Sequence, residues 1–384
     1  MKKNILFSAS LIHALNDAST VTVPMIFPLL YSQQYIITKY SHIGILSNVG
    51  LFVTFLFQIL VAKSDHRFEY KNMLILSTTG IALTLYSITL ASNFLSLLLI
   101  YLLMRFFVSF YHPIGISWVA RSYSNHKLDF AMGIQSGSGN LGVLVAFITV
   151  GMIAQKYSWK TPLLIWSVLC FCLGIIAYSG ILHTRTKVTT GKNLSGHKSW
   201  LQALIQIKFF VPGFIYGGAC WGITIFYAPS LFNHKFEISL GYTGAVLGSW
   251  IFLGTIVTYM FGFLSHRLGR RTLCLIGFIG STCALIPLGI SKNSLLALIS
   301  LFIFGAFLFL IYPAYQSYVG EMSTKQNKTL AFSSVANIQM LAGSLAGLIA
   351  GFLSDSFGIN SPFLFLAGLG IIVSAYFCFI RKRL

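Results

Sequence analysis

The chain has 384 residues, of which 56% are hydrophobic and only 9% charged, and its formal net charge is +19. A soluble domain carries roughly a quarter of its residues as Asp, Glu, Lys or Arg, so too few charges are present to coat a water-exposed globular surface. The basic excess is spread in a membrane pattern rather than gathered into one patch, which excludes a nucleic-acid partner.

Apolar runs of about 20 residues predict twelve membrane-spanning helices, at roughly 5–31, 41–62, 72–91, 94–120, 131–155, 161–182, 209–232, 240–264, 272–291, 294–320, 330–353 and 361–380. They are read as helices because a single apolar run in lipid must satisfy its own backbone hydrogen bonds. The runs are continuous rather than alternating, which argues against a barrel. Lys2 and Lys3 ahead of the first run resemble the start of a signal peptide. The run, however, carries His13, Asn16 and Asp17 and continues to Leu30, too long and too polar for one. The fold class is therefore an all-α polytopic membrane protein.

The only long polar stretch, 183–208, reads as a linker between an N-terminal six-helix half (1–182) and a C-terminal six-helix half (209–384). Alternating the loops from a cytoplasmic N-terminus places 20 of the 26 Lys and Arg residues inside and 5 outside, with Arg105 alone within a span. That bias predicts that both termini and the linker are cytoplasmic, with membrane lipid as a natural neighbour. The six cysteines all fall in spans and lack metal spacing, so neither disulfides nor a bound metal is expected.

The two halves align with a shift of 200 residues, Pro113 with Pro313, Gly151 with Gly351, Pro162 with Pro362 and His66-Arg67 with His266-Arg267. A constant offset through prolines, glycines and loop charges indicates parallel repeats, with a substrate site between them near mid-membrane.

The segment Gly262-Phe-Leu-Ser-His-Arg-Leu-Gly-Arg-Arg271 resembles the loop signature of the major facilitator superfamily, with His266 where that family usually has Asp. The first-half copy keeps Asp65, Arg67 and Lys71 but lacks the glycines. The resemblance implies the major facilitator fold and a gating role for Asp65, Arg67, Gly262, His266, Arg267, Gly269, Arg270 and Arg271. Glycine at a helix end permits a tight turn, and arginines beside a helix C-terminus offset its dipole and can clamp a neighbouring helix. Ordinary positive-inside charge is the alternative for the same arginines.

Three short stretches resemble fosmidomycin-resistance-type exporters: His13-Ala-Leu-Asn16-Asp17, Tyr111-His112-Pro113 with Val119-Ala120-Arg121, and Gly139-Asn140-Leu141-Gly142. The fifth span also resembles the glycine-rich signature of drug/proton antiporters, although Gly142 is followed by Val143 rather than proline. Its glycines are expected to serve close helix packing.

Asp17 and Arg105 are the strongly charged residues deep in spans, and an unpartnered charge there costs at least about 2.5–3.5 kcal/mol. By helical rise each lies about 20 Å from its cytoplasmic helix end, so they are expected to pair. His13 shares a face with Asp17, as His112 does with Arg105. The expected constellation has Asp17 and Arg105 in one layer above His13 and His112. Asp17, His13 and Arg105 are candidates for proton coupling, and Asn16, Arg105, His112, Trp221, Tyr312 and Gln316 for substrate contact. A buried strut that only fixes helix register is the other reading of the pair.

These features predict a monomeric secondary transporter in a bacterial inner membrane. It would move a small anionic or amphipathic organic solute by proton-coupled alternating access, with efflux favoured. A non-transporting receptor or assembly factor on the same scaffold, or an importer, are the alternatives. No cofactor and no catalytic residue are expected: the spans hold no Gly-x-Ser-x-Gly, His-Glu-x-x-His or paired carboxylates, and the chain has no Walker A motif.

Overall fold

The structure, a computed structural model, describes residues 2–64, 69–123, 126–184, 205, 207–322 and 328–379. The described residues are almost wholly helical, with no strand among them. In chain order the helices are α1 (Lys2–Ser32), α2 (Tyr40–Ser64), α3 (Tyr70–Ile88) and α4 (Phe94–Val108), then a π-helical turn (His112–Ile116), α5 (Ser117–Ser122), α6 (His126–Lys156) and α7 (Lys160–Ile181). A short 3-10 turn (Lys208–Phe210) leads into α8 (Val211–Ser230) and a second π-helical turn (Leu231–Lys235). The chain continues with α9 (Leu240–Leu268), α10 (Arg270–Ile290), α11 (Ser294–Met322), α12 (Lys328–Phe357) and α13 (Ser361–Phe379). The molecule is an all-α polytopic membrane protein. The predicted linker 183–208, and with it Asp65 and Arg67, falls mostly outside the described residues.

Ten of the predicted spans are long and apolar enough to cross a membrane by composition alone, α4 and α5 forming one of them across the π-turn. The other two are α1 and α3. In α1 the polar side chains are covered by protein rather than lipid: Ser8, Ser10, His13, Asn16, Ser19 and Thr22 are all buried. Its hydroxyls fold back onto the helix, Ser19 donating to the Asn16 carbonyl and Thr22 to that of Ala18. A membrane helix can carry such side chains because the backbone itself satisfies them.

The 200-residue repeat reappears in helix starts: Tyr40 and Leu240 open α2 and α9, Tyr70 and Arg270 open α3 and α10, Phe94 and Ser294 open α4 and α11. The copies diverge at the aligned prolines. Pro313 lies inside a continuous α11, whereas α4 stops at Val108 and resumes as α5 only after the π-turn that holds Pro113. A wide turn accommodates proline's missing N–H and bulky ring, and it resets the angular phase of every residue beyond it. The start of α4 is set locally by a capping box in which the Asn93 side chain accepts from the Ser96 N–H and the Ser96 hydroxyl accepts from the Asn93 N–H.

The chain divides into two compact units. One comprises Met1–His42, Val49–Gly191 and Ile238–Gly248, and the other Ile43–Asn48, Lys192–Glu237 and Ser249–Leu384. In the first, α1 packs along α6 at a seam of small residues. Gly142 faces the backbone of Ala14, where no side chain would fit, and Gly139 faces His13 and Asp17. Glycines at such a seam let two backbones approach closely, which gives dispersion forces their shortest range.

Candidate functional site

Within the first unit the α1–α6 seam carries a polar cluster in an otherwise apolar interior. His13 and Asp17 lie one turn apart on α1, with His13 Nε2 3.0 Å from Asp17 Oδ2. The π-turn brings in His112, whose Nε2 lies 3.4 Å from Asp17 Oδ1. Asn16, fully buried, donates through Nδ2 to Asp17 Oδ1 at 3.3 Å. The donor and acceptor atoms of His13, Asp17 and His112 all lie within 4.8 Å of one another, close enough to share one small cation. Burial grades across the cluster: the His13 side chain is 7% exposed, Asp17 22% and His112 35%. The His112 imidazole is therefore the least covered by protein and the His13 imidazole the most.

Two residues that sequence reasoning left without a role complete the cluster. His13 Nδ1 lies 2.7 Å from the Gln135 carbonyl on α6, and its ring stacks on Tyr111 at 4.6 Å between centroids. The Gln135 side-chain amide donates to the Tyr111 hydroxyl at 3.0 Å, and that hydroxyl donates to the Ala9 carbonyl at 2.8 Å. Gln135 Nε2 also lies 2.9 Å from His13 Nδ1. These two contacts would use Nδ1 in opposite senses. A carbonyl can only accept, so the shorter contact makes Nδ1 the donor and leaves the amide to Tyr111. The signal for Gln135 was an amide in a glycine-rich apolar span, one turn before Gly139; Tyr111 carried no signal beyond its place in the quoted motif.

This tautomer has a consequence at the other ring nitrogen. With Nδ1–H committed, a neutral His13 would set its unprotonated Nε2 beside a carboxylate oxygen 3.0 Å away. Two acceptors at that distance repel, so a proton belongs to the His13–Asp17 pair. The contact is short but bent, an ion pair without hydrogen-bond alignment.

Arg105 does not join this cluster, and the expected Asp17–Arg105 pair is not formed. Arg105 is buried against α2, donating through Nε to Thr54 Oγ1 at 2.9 Å and to the Gly50 carbonyl at 3.3 Å. The expectation assumed a continuous helix, in which residues 105 and 112 share a face. The break after Val108 and the π-turn rotate His112 toward α1 while Arg105 faces α2. The two expected layers thus become one, with Asp17 between the two histidines.

In the second unit Trp221 packs near Trp250 at 6.0 Å and Phe309 at 6.4 Å between centroids. Tyr312 donates its hydroxyl to the Gly217 carbonyl at 2.9 Å. The Gln316 side chain lies outside the described residues. Of the signature residues, Gly269 supplies the turn: its φ of +78° ends α9 and opens α10. Gly262 instead lies inside α9 with open space around it. His266 and Arg267 are exposed, and Arg267 covers the Phe263 ring at 4.4 Å. Arg270 begins α10, and Arg271 has a buried Nη2 near Phe210, Tyr318 and Phe377.

Long apolar helices that repeat with a 200-residue offset and bury ionisable side chains are the architecture of a polytopic membrane protein. Residues 9–346 and 262–383 match the Major Facilitator Superfamily, and the chain belongs to that superfamily of secondary transporters. It is similar to the multidrug resistance protein MdtG of Salmonella paratyphi C, 24% identical over 370 residues that cover 90% of this chain and 88% of that one. MdtG of Escherichia coli O1:K1 / APEC is 23% identical, covering 90% and 87%. Among solved structures, a bacterial homolog of the human lysosomal transporter Spinster, inward-facing and unoccupied, matches with a TM-score of 0.83 at 14% identity, covering 98% of this chain and 96% of that one. The nucleoside transporter NupG matches with a TM-score of 0.79 at 14% identity, covering 98% and 99%. At such identities the two structures speak for the fold alone.

Proposed function

We propose that the protein is a proton-coupled exporter of small organic solutes in a bacterial inner membrane, with both termini cytoplasmic and His13, Asp17 and His112 as the coupling site. The observation that carries this reading is the 3.0 Å contact between His13 Nε2 and Asp17 Oδ2, with Nδ1 already committed to the Gln135 carbonyl. Protonated, His13 attracts Asp17 along α1 and strengthens, as a charged donor, its hydrogen bond to the Gln135 carbonyl of α6. Deprotonated, it repels at the same distance. Proton occupancy thereby changes the forces among α1, α6 and the π-turn that carries His112, and a two-state rearrangement biased by that change couples proton movement to solute movement. His112, the most exposed of the three, is the exchange point with solvent. Asn16 orients the carboxylate. Export accords with relatives named for multidrug resistance; the 20-to-5 charge split supports the topology.

The test is Asp17→Asn in proteoliposomes loaded with fluorescent drug-like dyes. The substitution keeps the shape and removes the titrating carboxylate. The expected result is loss of dye accumulation driven by an imposed pH gradient, with dye exchange in the absence of a gradient retained. Undiminished gradient-driven accumulation would show that Asp17 is a static strut.

A further inference from the structure

Two imidazoles and a carboxylate on the α1–α6 seam have the make-up of a metal-ion site. Among the described residues, His13, Asp17 and His112 are the one group of three histidine, cysteine or acidic side chains whose donor atoms all lie within 4.8 Å of one another. No spacing motif announces the group, because His112 is far from Asp17 in sequence and reaches it through the π-turn.

The three side chains stand as ligands around a common centre. Donors placed tetrahedrally at about 2.1 Å from one ion are roughly 3.4 Å apart. His13 Nε2 lies 3.0 Å from Asp17 Oδ2, and His112 Nε2 lies 3.4 Å from Asp17 Oδ1. The attraction between His13 and Asp17 acts across a bent contact, so nitrogen and oxygen do not aim straight at each other. Two ligands of one ion have that relation, since each aims at the ion. The contacts behind these three are those of a built site. A histidine that binds metal through Nε2 donates its Nδ1–H to a carbonyl or carboxylate, which fixes its tautomer and ring plane. His13 is buried and makes this bond to the Gln135 carbonyl at 2.7 Å. Its ring stacks on Tyr111, whose hydroxyl is tied to the Gln135 amide and the Ala9 carbonyl. Asn16 Nδ2 steadies Asp17 Oδ1. Gly139 leaves the two inner donors uncovered, because a Cβ there would come within 2.6 Å of Asp17 Oδ2 and 2.8 Å of His13 Nε2. Asp17 and His112 are only partly covered, which gives an ion its way in and leaves room for water as a further ligand.

We propose that His13 Nε2, the Asp17 carboxylate and His112 Nε2 bind one divalent transition-metal ion of the zinc class. Two imidazoles and a carboxylate suit zinc, cobalt and nickel, whereas magnesium and calcium require a shell of oxygens. Drawing in His112, the least covered of the three, closes the set onto the ion by on the order of 1 Å. Ligating histidines carry no proton on the bound nitrogen, so the proton of the His13–Asp17 pair leaves to water as the ion enters. The assignment goes beyond the coupling reading and does not depend on it.

The test measures binding and needs no proton gradient, so it can fail independently of the coupling test. The full chain, free of any polyhistidine tag and stripped with chelator, is titrated with zinc in lipid nanodiscs by calorimetry. Saturable binding of one ion per chain is expected, undisturbed by excess magnesium. His112→Gln and Asp17→Asn should each weaken it on the order of a hundredfold or more. His183→Gln, which alters an exposed histidine outside the site, should leave it unchanged. Zinc-edge X-ray absorption of the parent chain with one equivalent bound should show imidazole scattering, with nitrogen and oxygen at about 2.0–2.2 Å and no sulfur near 2.3 Å. That measurement needs no variant, so it decides even where a variant does not fold. No saturable zinc binding, displacement by magnesium, parental affinity in His112→Gln, or a metal shell that contains sulfur or lacks imidazole overturns the proposal.

Discussion

Replacing Gly139 by alanine puts a methyl group into the α1–α6 seam at the coupling site. The new Cβ would lie 2.6 Å from Asp17 Oδ2, 2.7 Å from His13 Cε1 and 2.8 Å from His13 Nε2. Ordinary contact distances require shifts of ~0.7 Å or more, and the side chains that must move are those of the His13–Asp17 pair. Overpacking of this kind costs about 1–3 kcal/mol, offset by roughly 1 kcal/mol of improved helix propensity. The control lies on the same helix. A methyl group at Gly133 would meet nothing within 4 Å, so Gly133→Ala should be neutral or stabilising by about 0.5–1 kcal/mol. Equilibrium unfolding in mixed micelles and pH-gradient-driven transport, measured for both variants, separate them. Gly139→Ala should lose up to about 2 kcal/mol of stability and lose most gradient-driven transport, while Gly133→Ala keeps both. If the two variants behave alike in both assays, the seam does not hold the site as described.

Other outcomes follow from single contacts. Gln135→Leu removes the donor to the Tyr111 hydroxyl while the backbone carbonyl to His13 stays. It should cost about 1 kcal/mol in the same unfolding assay, and an unchanged midpoint would mean that the amide bond contributes nothing. Asn93→Ala breaks the capping box at the start of α4 and should lower stability by about 1 kcal/mol, with Asn93→Ser restoring most of it. Gly269→Ala forces a Cβ into a left-handed backbone at φ +78°. With ψ at 143° the conformation is open essentially to glycine alone, so the expected cost is about 1–3 kcal/mol and Gly269→Asn gives no relief, read as the shift in thermal unfolding.

Much of this protein is determined locally and was legible in the sequence. Long apolar runs must become helices in lipid wherever they sit, so fold class follows from composition and run length. The 200-residue offset survives as matched helix starts because turn and loop residues act at short range. The His13–Asp17 contact is equally local: residues one turn apart on a helix share a face whatever surrounds them.

Asp17's other partners depended on the tertiary structure. Depth along a helix placed Arg105 level with Asp17, but depth says nothing of azimuth. The π-turn at Pro113 separates the facing of Arg105 from that of His112, which leaves Arg105 on Thr54 and His112 on Asp17. Gln135 joins the site because Gly139 and Gly142 let α6 approach α1 closely. Which helices become neighbours, and through which rotation, is a property of the packed bundle. Hydrophobic pattern fixes only which residues are apolar, and in a chain that is apolar on nearly every face it leaves the angular phase of each helix to side-chain packing.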